Sequence, residues 1–243
     1  MDVFIDEAGY TGSDLISADQ PIFILASTII EAREARALLD SYFEKPQPEV
    51  KFARRVRSAR GRKEILEFLR ALEGNRSKMA FFVFHKQYLL LTMLIDYWLE
   101  PMMHEDGINL YERGANIGRA NLCYLTLGTC IGVAARRELL RRFQVMTRDR
   151  TRFAFHNFWD SLREAMRQHE LVDRAFGALP LAEVRLGYDH LSDLPAHMLD
   201  SSDLGLLQTV EHWRQQLPDT EFVLYHDRST MLERQREFLG GNP

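Results

Sequence analysis

Apolar residues near the start of the chain follow a pattern typical of β-strands. Val3, Phe4 and Ile5 precede the acidic pair Asp6-Glu7, and glycines at positions 9 and 12 mark a turn. Residues 21–30 then form a near-continuous apolar run, which is typical of a strand covered on both faces. We therefore predict that the acidic pair lies at the end of a central, buried strand.

Beyond these two strands, the spacing of apolar residues predicts a chain that is mostly helical. Residues 78–84 and 221–226 have the composition of two further strands. Apolar positions at helical spacing predict helices over residues 31–43, 61–72, 87–103, 116–142, 152–170, 204–217 and 229–239. Residues 177–203 contain closely spaced Gly, Pro, Asp and Ser and are predicted to form a long connection.

This order of elements predicts an α/β fold. Its core would be a mixed β-sheet built by residues 1–85 and 204–243, and residues 86–203 would form a large helical insertion or cap with its connection. With 243 residues and 46% hydrophobic content, the chain can bury the core of one large domain, and two closely linked domains remain possible.

Charge and cysteine content narrow the classes of function. A net charge of −4 gives no global attraction to nucleic acid, so such binding would need a local basic patch. Cys123 and Cys130 lie seven residues apart in a predicted helix, about 10 Å, which is too far for a disulfide. The N-terminus lacks the features of a signal peptide, and no apolar run reaches membrane-spanning length. We expect a soluble, cytoplasmic protein.

Acidic residues at the ends of predicted strands suggest a metal site. Asp6 follows the first strand and Asp227 follows the last, and carboxylates on neighbouring strand ends can bind Mg²⁺ or Mn²⁺. Glu7 and Glu49 are further candidate ligands, and Lys51 could contact a scissile phosphate. Two Mg²⁺ or Mn²⁺ ions about 3.5 to 4 Å apart would activate water and stabilise the leaving oxygen in phosphodiester cleavage.

The sequence Asp6-Glu7-Ala8-Gly9 after a first strand resembles the Asp-Glu-Ser-Gly opening of the domain of unknown function 3800 family (DUF3800), which is widespread in bacteria and mobile elements. The apolar second strand, Glu49-x-Lys51 before a helix, and a late strand ending at Asp227 also match. The resemblance implies a divergent ribonuclease H-like fold and the activity of a nuclease, a metal-binding hydrolase. Members usually end with a further strand and a helix carrying an acidic motif, and this chain ends at Pro243 without them.

Each candidate residue also has a structural interpretation. Asp6 and Glu7 could form a solvated turn, and Asp227 could cap the predicted last helix. Glu49 could be a surface acid paired with Lys51. His226 could act as an auxiliary ligand or proton shuttle, but a strand histidine is more often packed or exposed without function.

A dense basic stretch follows Glu49 in the chain. Beside a metal site, such side chains would hold a nucleic-acid backbone, whereas the alternative is a solvated charged surface. Its members are Lys51, Arg54, Arg55, Arg57, Arg60, Arg62 and Lys63.

Two hypotheses follow from these patterns. In the first, the chain is a nuclease or phosphodiesterase in which Asp6, Glu49 and Asp227 hold Mg²⁺ or Mn²⁺, while Lys51 and the arginines position phosphate. In the second, it is a catalytically inactive module of the same architecture that recruits partners, or another copy of itself, through its helical region. The intact acids favour the first hypothesis, and the absent terminal motif favours the second.

Overall fold

The computed structural model describes residues 1–43 and 50–226 of the chain. The fold is α/β, with one mixed four-stranded sheet and mostly helical content elsewhere. The strands are β1 (Asp2–Ala8), β2 (Ile22–Thr28), β3 (Met79–His85) and β4 (Val223–His226), and their order in the sheet is β3-β2-β1-β4. In the described ranges, no helix is long and apolar enough to cross a membrane.

The chain divides into two compact units. Of the described residues, the first unit contains 1–7, 25–43, 50–82 and 206–226, and the second contains 8–24 and 83–205. The predicted core of residues 1–85 and 204–243 therefore includes residues 8–24, which the structure groups with the helical second unit. The predicted helix over residues 229–239 lies outside the described residues.

The helices of the first unit lie largely between β2 and β3 in sequence. They are α1 (Ala32–Tyr42), α2 (Phe52–Arg55) and α3 (Ala59–Leu72), followed by a 3₁₀ helix over Glu73–Lys78. Ser58 caps α3 by accepting a hydrogen bond from the Gly61 backbone N–H at 3.0 Å. A side chain on Gly61 would meet the Arg55 carbonyl oxygen at 2.2 Å, so the close approach of α2 and α3 requires glycine here.

Side-chain alternation along β1 explains which face of the sheet is buried in the first unit. Val3 and Ile5 are buried, whereas Asp2, Phe4 and Asp6 are exposed. A small core cluster forms on the buried face, and it consists of Val3, Ile5, Ala80, Leu206 and Trp213. The indole Nε1 of Trp213 donates a hydrogen bond to the buried Ser27 hydroxyl at 2.9 Å. β1 lies between β2 and β4, so the predicted central position of the strand is confirmed, but only the face of Val3 and Ile5 is buried and Asp6 is on the exposed face.

The second unit is built from helices around one large apolar core. Its helices are α4 (Lys86–Leu94), a π-helical turn (Ile95–Leu99), α5 (Glu100–Glu105), α6 (Ala115–Cys130), α7 (Gly132–Asp149), α8 (Arg152–Gln168), α9 (Glu170–Phe176), α10 (Leu179–Leu186), α11 (His190–Asp193) and the start of α12 (Ser201–Gln216). The core contains buried aromatic rings, among them Trp98, Phe143, Phe158 and Trp159. Both cysteines lie in α6 and are free, as predicted.

Two predictions in this helical region are wrong. The predicted helix over residues 116–142 is two helices, α6 and α7, which separate at Ile131 and Gly132. Gly132, the first residue of α7, has φ +81°, a left-handed conformation that would interrupt the interior of a continuous α-helix. Residues 177–203, predicted as a connection, contain α10, α11 and the first turn of α12, because short amphipathic segments there pack on the core through Leu179, Ala182 and Leu191.

Candidate site at the ends of two parallel strands

The first and last described strands are parallel neighbours. Ile5 of β1 is opposite His226 of β4, and Asp2 is opposite Val223. A hydrogen bond from the Val223 N–H to the Met1 carbonyl oxygen, 2.9 Å long, fixes the start of this pairing. Asp6 and Glu7 are therefore the residues of β1 that directly follow the Ile5–His226 pair.

The two acids of β1 point to opposite faces of the sheet. Glu7 shares the face of the buried residues Val3 and Ile5, and Asp6 shares the exposed face of Phe4. The Asp6 carboxylate accepts a hydrogen bond from the Glu7 backbone N–H at 2.9 Å, and the Asp6 side chain is exposed. A metal ion bound on one face of the sheet therefore cannot have both acids as ligands unless the backbone conformation of β1 changes.

Glu7 and His226 form a contact on the covered face. The Glu7 carboxylate oxygen Oε2 lies 3.3 Å from the imidazole Nε2 of His226, and their side chains are 21% and 8% exposed. This neighbourhood follows from the register, because His226 is opposite Ile5 and Glu7 is the next residue of β1 on that face. A carboxylate beside an imidazole can orient the ring.

A complete metal site is not formed by the described residues. Across residues 1–43 and 50–226, no group of three His, Cys, Asp or Glu side chains is arranged to hold a metal ion. Glu7 and His226 supply one oxygen-type and one nitrogen-type ligand, whereas Mg²⁺ prefers a set of oxygens. Two of the predicted ligands, Glu49 and Asp227, lie outside the described residues.

The basic stretch begins directly after this gap. Lys51 is exposed and precedes α2, where its carbonyl oxygen accepts hydrogen bonds from the Arg54 and Arg55 N–H groups. Three of the predicted phosphate-binding arginines have contacts with protein groups. Arg55 and Arg60 pair with Glu64 at 2.6 and 2.9 Å, and Arg62 donates to the Val56 carbonyl oxygen.

Arg54 and Arg57 differ from these three. Both are exposed, and within the described part of the chain neither forms an ion pair. Arg55 is further held by stacking of its guanidinium over the Phe43 ring, 4.7 Å from the ring centroid. Of the predicted phosphate-binding arginines, Arg54 and Arg57 therefore have the charge most available to an anionic partner.

No protein-family model, curated protein or solved structure matches this chain. The resemblance to the DUF3800 family and its ribonuclease H-like fold therefore stays a prediction, which rests on the sequence motifs described above.

Polar side chains in the second unit were missed by the sequence analysis. Asp96 lies in the π-helical turn, where the Asn116 side-chain amide donates to its carboxylate at 3.1 Å. Burial raises the pKa of Asp96, although that hydrogen bond opposes the shift. The available signal was a single acid inside the apolar run from Leu94 to Leu99. Lys86, which is fully buried, was also missed.

Proposed function

We propose that this chain is a phosphodiesterase of ribonuclease H-like type that acts on nucleic acid and uses Mg²⁺ or Mn²⁺. The observation that carries the proposal is the parallel pairing of β1 and β4 with Ile5 opposite His226. Asp6 is the next residue after Ile5, and Asp227 is the next residue after His226. Each residue of the Ile5–His226 pair is thus followed in sequence by an acidic residue.

Strand alternation supports Asp6 as one of the central pair of ligands that we propose, Asp6 and Asp227. Phe4 and Tyr225 are exposed on one face and stack with ring centroids 5.4 Å apart. Asp6 follows Phe4 on that face of β1. Asp227 lies outside the described residues and is proposed as the second ligand from its position after His226 in the sequence. On this proposal, Glu7 has no ligand role and instead supports the strand end through His226.

The remaining roles follow from charge. Glu49 would complete the carboxylate set, because Asp6 and Asp227 alone are too few ligands for a hard divalent cation. Lys51, Arg54 and Arg57 would contact the phosphate backbone and make binding decrease with salt. A bound divalent cation would supply activation of water and neutralisation of charge on the phosphate.

Hydrolysis of single- and double-stranded DNA and RNA in Mg²⁺ or Mn²⁺ tests this function. We expect Asp6→Asn to lower the cleavage rate at least about 100-fold, in line with the loss of one preorganised electrostatic contribution to catalysis. Asp2→Asn is the matched control, because Asp2 is an exposed acid on the same face of β1 at the opposite end of the strand. Cleavage that persists in Asp6→Asn at the rate of Asp2→Asn would contradict the assigned site.

A second function is favoured by a different observation. The helical unit exposes large apolar side chains, including Leu125 at 67% and Phe153 at 80% exposure, which suits an inactive module that binds a protein partner or a second copy. Calorimetric titration with Mn²⁺ separates the two functions. Heat of binding that disappears in Asp6→Asn supports the enzyme, and absence of both binding and hydrolysis supports the module.

A further inference from the structure

A groove with a volume of about 920 Å³ is lined by α7 and α8 in the second unit, with a contribution from the end of α6. This α7–α8 groove is within the range of about 300–1,000 Å³ that is typical of small-molecule sites. Its apolar lining offers a surface on which an apolar part of a ligand can be buried. The apolar residues are Cys130, Ile131, Ala135, Leu139, Phe153 and Ala165.

Arg142 is the centre of the polar part of the lining, and hydrogen bonds fix its position. Its Nε donates to the Glu138 carboxylate at 3.0 Å. Its Nη1 donates to the Asn157 side-chain carbonyl oxygen at 2.7 Å and to the Ser161 hydroxyl. The Ser161 hydroxyl in turn donates to the Asn157 backbone carbonyl oxygen at 2.6 Å. The guanidinium group is therefore held in place before a ligand binds, which lowers the entropic cost of binding.

Hydrogen-bond donors of this cluster remain available to a ligand. Within the described part of the chain, neither Nη2 of Arg142 nor the amide nitrogen Nδ2 of Asn157 has a hydrogen-bond partner. Since the described side-chain atoms that are both buried and unpaired do not include either nitrogen, both reach solvent. Both nitrogens carry N–H groups and no lone pair that can accept, so this part of the groove is suited to an acceptor.

The charge around Arg142 favours an acceptor that is an anion. Glu138 pairs with both Arg141 and Arg142, and one carboxylate cannot neutralise two guanidinium groups. Hydrogen bonds, chiefly from Arg141, lower the pKa of Glu138 to about 2, so its carboxylate is ionised at neutral pH. Asp160 and Glu164, the other acids in the lining, each pair with an arginine of α8. One positive charge therefore remains uncompensated on the α7 side of the groove.

We propose that the α7–α8 groove binds small amphipathic carboxylates of the medium-chain fatty-acid type. The carboxylate oxygens accept hydrogen bonds from Arg142 Nη2 and Asn157 Nδ2, and the bond from the guanidinium group is strengthened by charge. The alkyl chain covers the apolar lining, including the side chain of Phe153. Because the groove belongs to the second unit and Asp6 to the first, this inference does not rest on the proposed nuclease function.

Calorimetric titration of the full chain with decanoate tests the proposal. Decyltrimethylammonium is the matched ligand, because it has the same alkyl chain and a cationic head group. We expect saturable binding of decanoate and at least about 10-fold weaker binding of the cation, which meets the uncompensated positive charge. The buffer contains EDTA and no nucleic acid, so the outcome is separate from that of the nuclease assay.

Two substitutions remove the donors. Arg142→Met should weaken decanoate binding at least about 10-fold, the scale of one hydrogen bond to a charged group. Asn157→Ala should weaken it at least about 3-fold and leaves the guanidinium group in place. Circular dichroism establishes that both variants are folded. Arg148→Met is the matched control, because Arg148 is a half-exposed arginine of the same helix that pairs with Asp149 and does not line the groove.

Phe153→Ser tests the apolar part of the groove. Phe153 is 80% exposed, so its replacement leaves the core of the unit intact, and decanoate should bind at least about 3-fold more weakly. The proposal would be overturned if the wild type shows no saturable binding of decanoate, or if decanoate and decyltrimethylammonium bind equally. Wild-type affinity for decanoate in both Arg142→Met and Asn157→Ala would also overturn it.

Discussion

The two units of the chain differ in how they bury apolar surface. The second unit has a large core in which aromatic rings contact one another, for example Trp98 and Trp159 with centroids 5.1 Å apart. The cluster on the sheet of the first unit is small, and the opposite face of the same strands exposes Phe4 and Tyr225. Because apolar burial is the dominant stabilising contribution, we expect the helical unit to be the more stable of the two.

This difference separates stability from the candidate chemistry. The helical unit uses many of its side chains for packing, and several of its arginines form ion pairs, for example Arg142 with Glu138. The sheet unit presents an exposed acid, Asp6, together with the exposed arginines Arg54 and Arg57. Exposed polar groups contribute little to folding, so these residues are available for the roles proposed above.

The largest effect is expected in the aromatic core of the second unit. Trp159→Ala removes a fully buried ring that packs on Trp98, Phe155 and Phe158, and it should lower the free energy of unfolding by about 3–5 kcal/mol. Urea denaturation followed by far-ultraviolet circular dichroism measures the change.

Trp159→Phe is the matched control for that variant. The Trp159 indole N–H is buried without a hydrogen-bond partner within the described part of the chain, so phenylalanine loses volume but no hydrogen bond. We expect Trp159→Phe to lower the free energy of unfolding by less than half as much as Trp159→Ala does. A Trp159→Ala variant as stable as Trp159→Phe would show that the aromatic core does not dominate the helical unit.

A smaller effect is expected in the core of the first unit. Ser27→Ala removes the acceptor for the buried Trp213 N–H, and it should lower the free energy of unfolding by about 1–3 kcal/mol. Trp98 and Trp159 lie in the second unit, so replacing both with Phe leaves Trp213 as the fluorophore that reports on the first unit.

The control for this change is another serine in the same unit. Ser41 is exposed in α1, and its hydroxyl donates to the Ala37 carbonyl oxygen, a contact that water can replace. Ser41→Ala should change the free energy of unfolding by less than about 0.5 kcal/mol. Equal effects of the two substitutions would mean that the Ser27–Trp213 hydrogen bond is not a significant part of the small core.

Much of the secondary structure could be predicted because it depends on local patterns. The period of apolar residues located the strands β1 to β4 and helices such as α3 and α8 to within a few residues. The separation of α6 from α7 was missed because Gly132 is a single glycine within an otherwise helical pattern. A glycine in a helical pattern does not reveal whether its φ will be positive, which is decided by tertiary packing.

The candidate site was less predictable than the fold class. Acidic residues at strand ends were visible in the sequence, but only the strand register shows that Glu7 contacts His226 and that Asp6 points away from both. Likewise, nothing local to Lys86 indicates that its side chain is buried against Thr11, which is 75 residues away in sequence. Such long-range contacts are set by topology, and the sequence pattern contains no direct signal for them.

The pH dependence of stability supplies the smallest expected effect, and it concerns a polar residue of the helical unit. Burial lowers the pKa of Lys86 in the folded protein, whereas the unfolded chain keeps an ordinary lysine pKa of about 10.4. Between these two values the unfolded chain binds one proton more than the folded chain, so the free energy of unfolding rises with pH, by at most about 1.4 kcal/mol per pH unit. Below the folded pKa, both states bind the proton and this contribution to the slope ends.

Lys86→Met removes this titration. The free energy of unfolding of the wild type minus that of the variant should therefore increase with pH across that window. Subtracting the two curves cancels the other ionisable groups, and Lys78→Met, at a half-exposed lysine, should give no such increase. Urea denaturation at a series of pH values measures the difference. Parallel curves for the wild type and Lys86→Met would mean that Lys86 is as protonated in the folded protein as in the unfolded chain. In that case the buried amine is charged at neutral pH, and the helical unit tolerates an ammonium ion whose one hydrogen-bond contact in the described structure is the Thr11 hydroxyl.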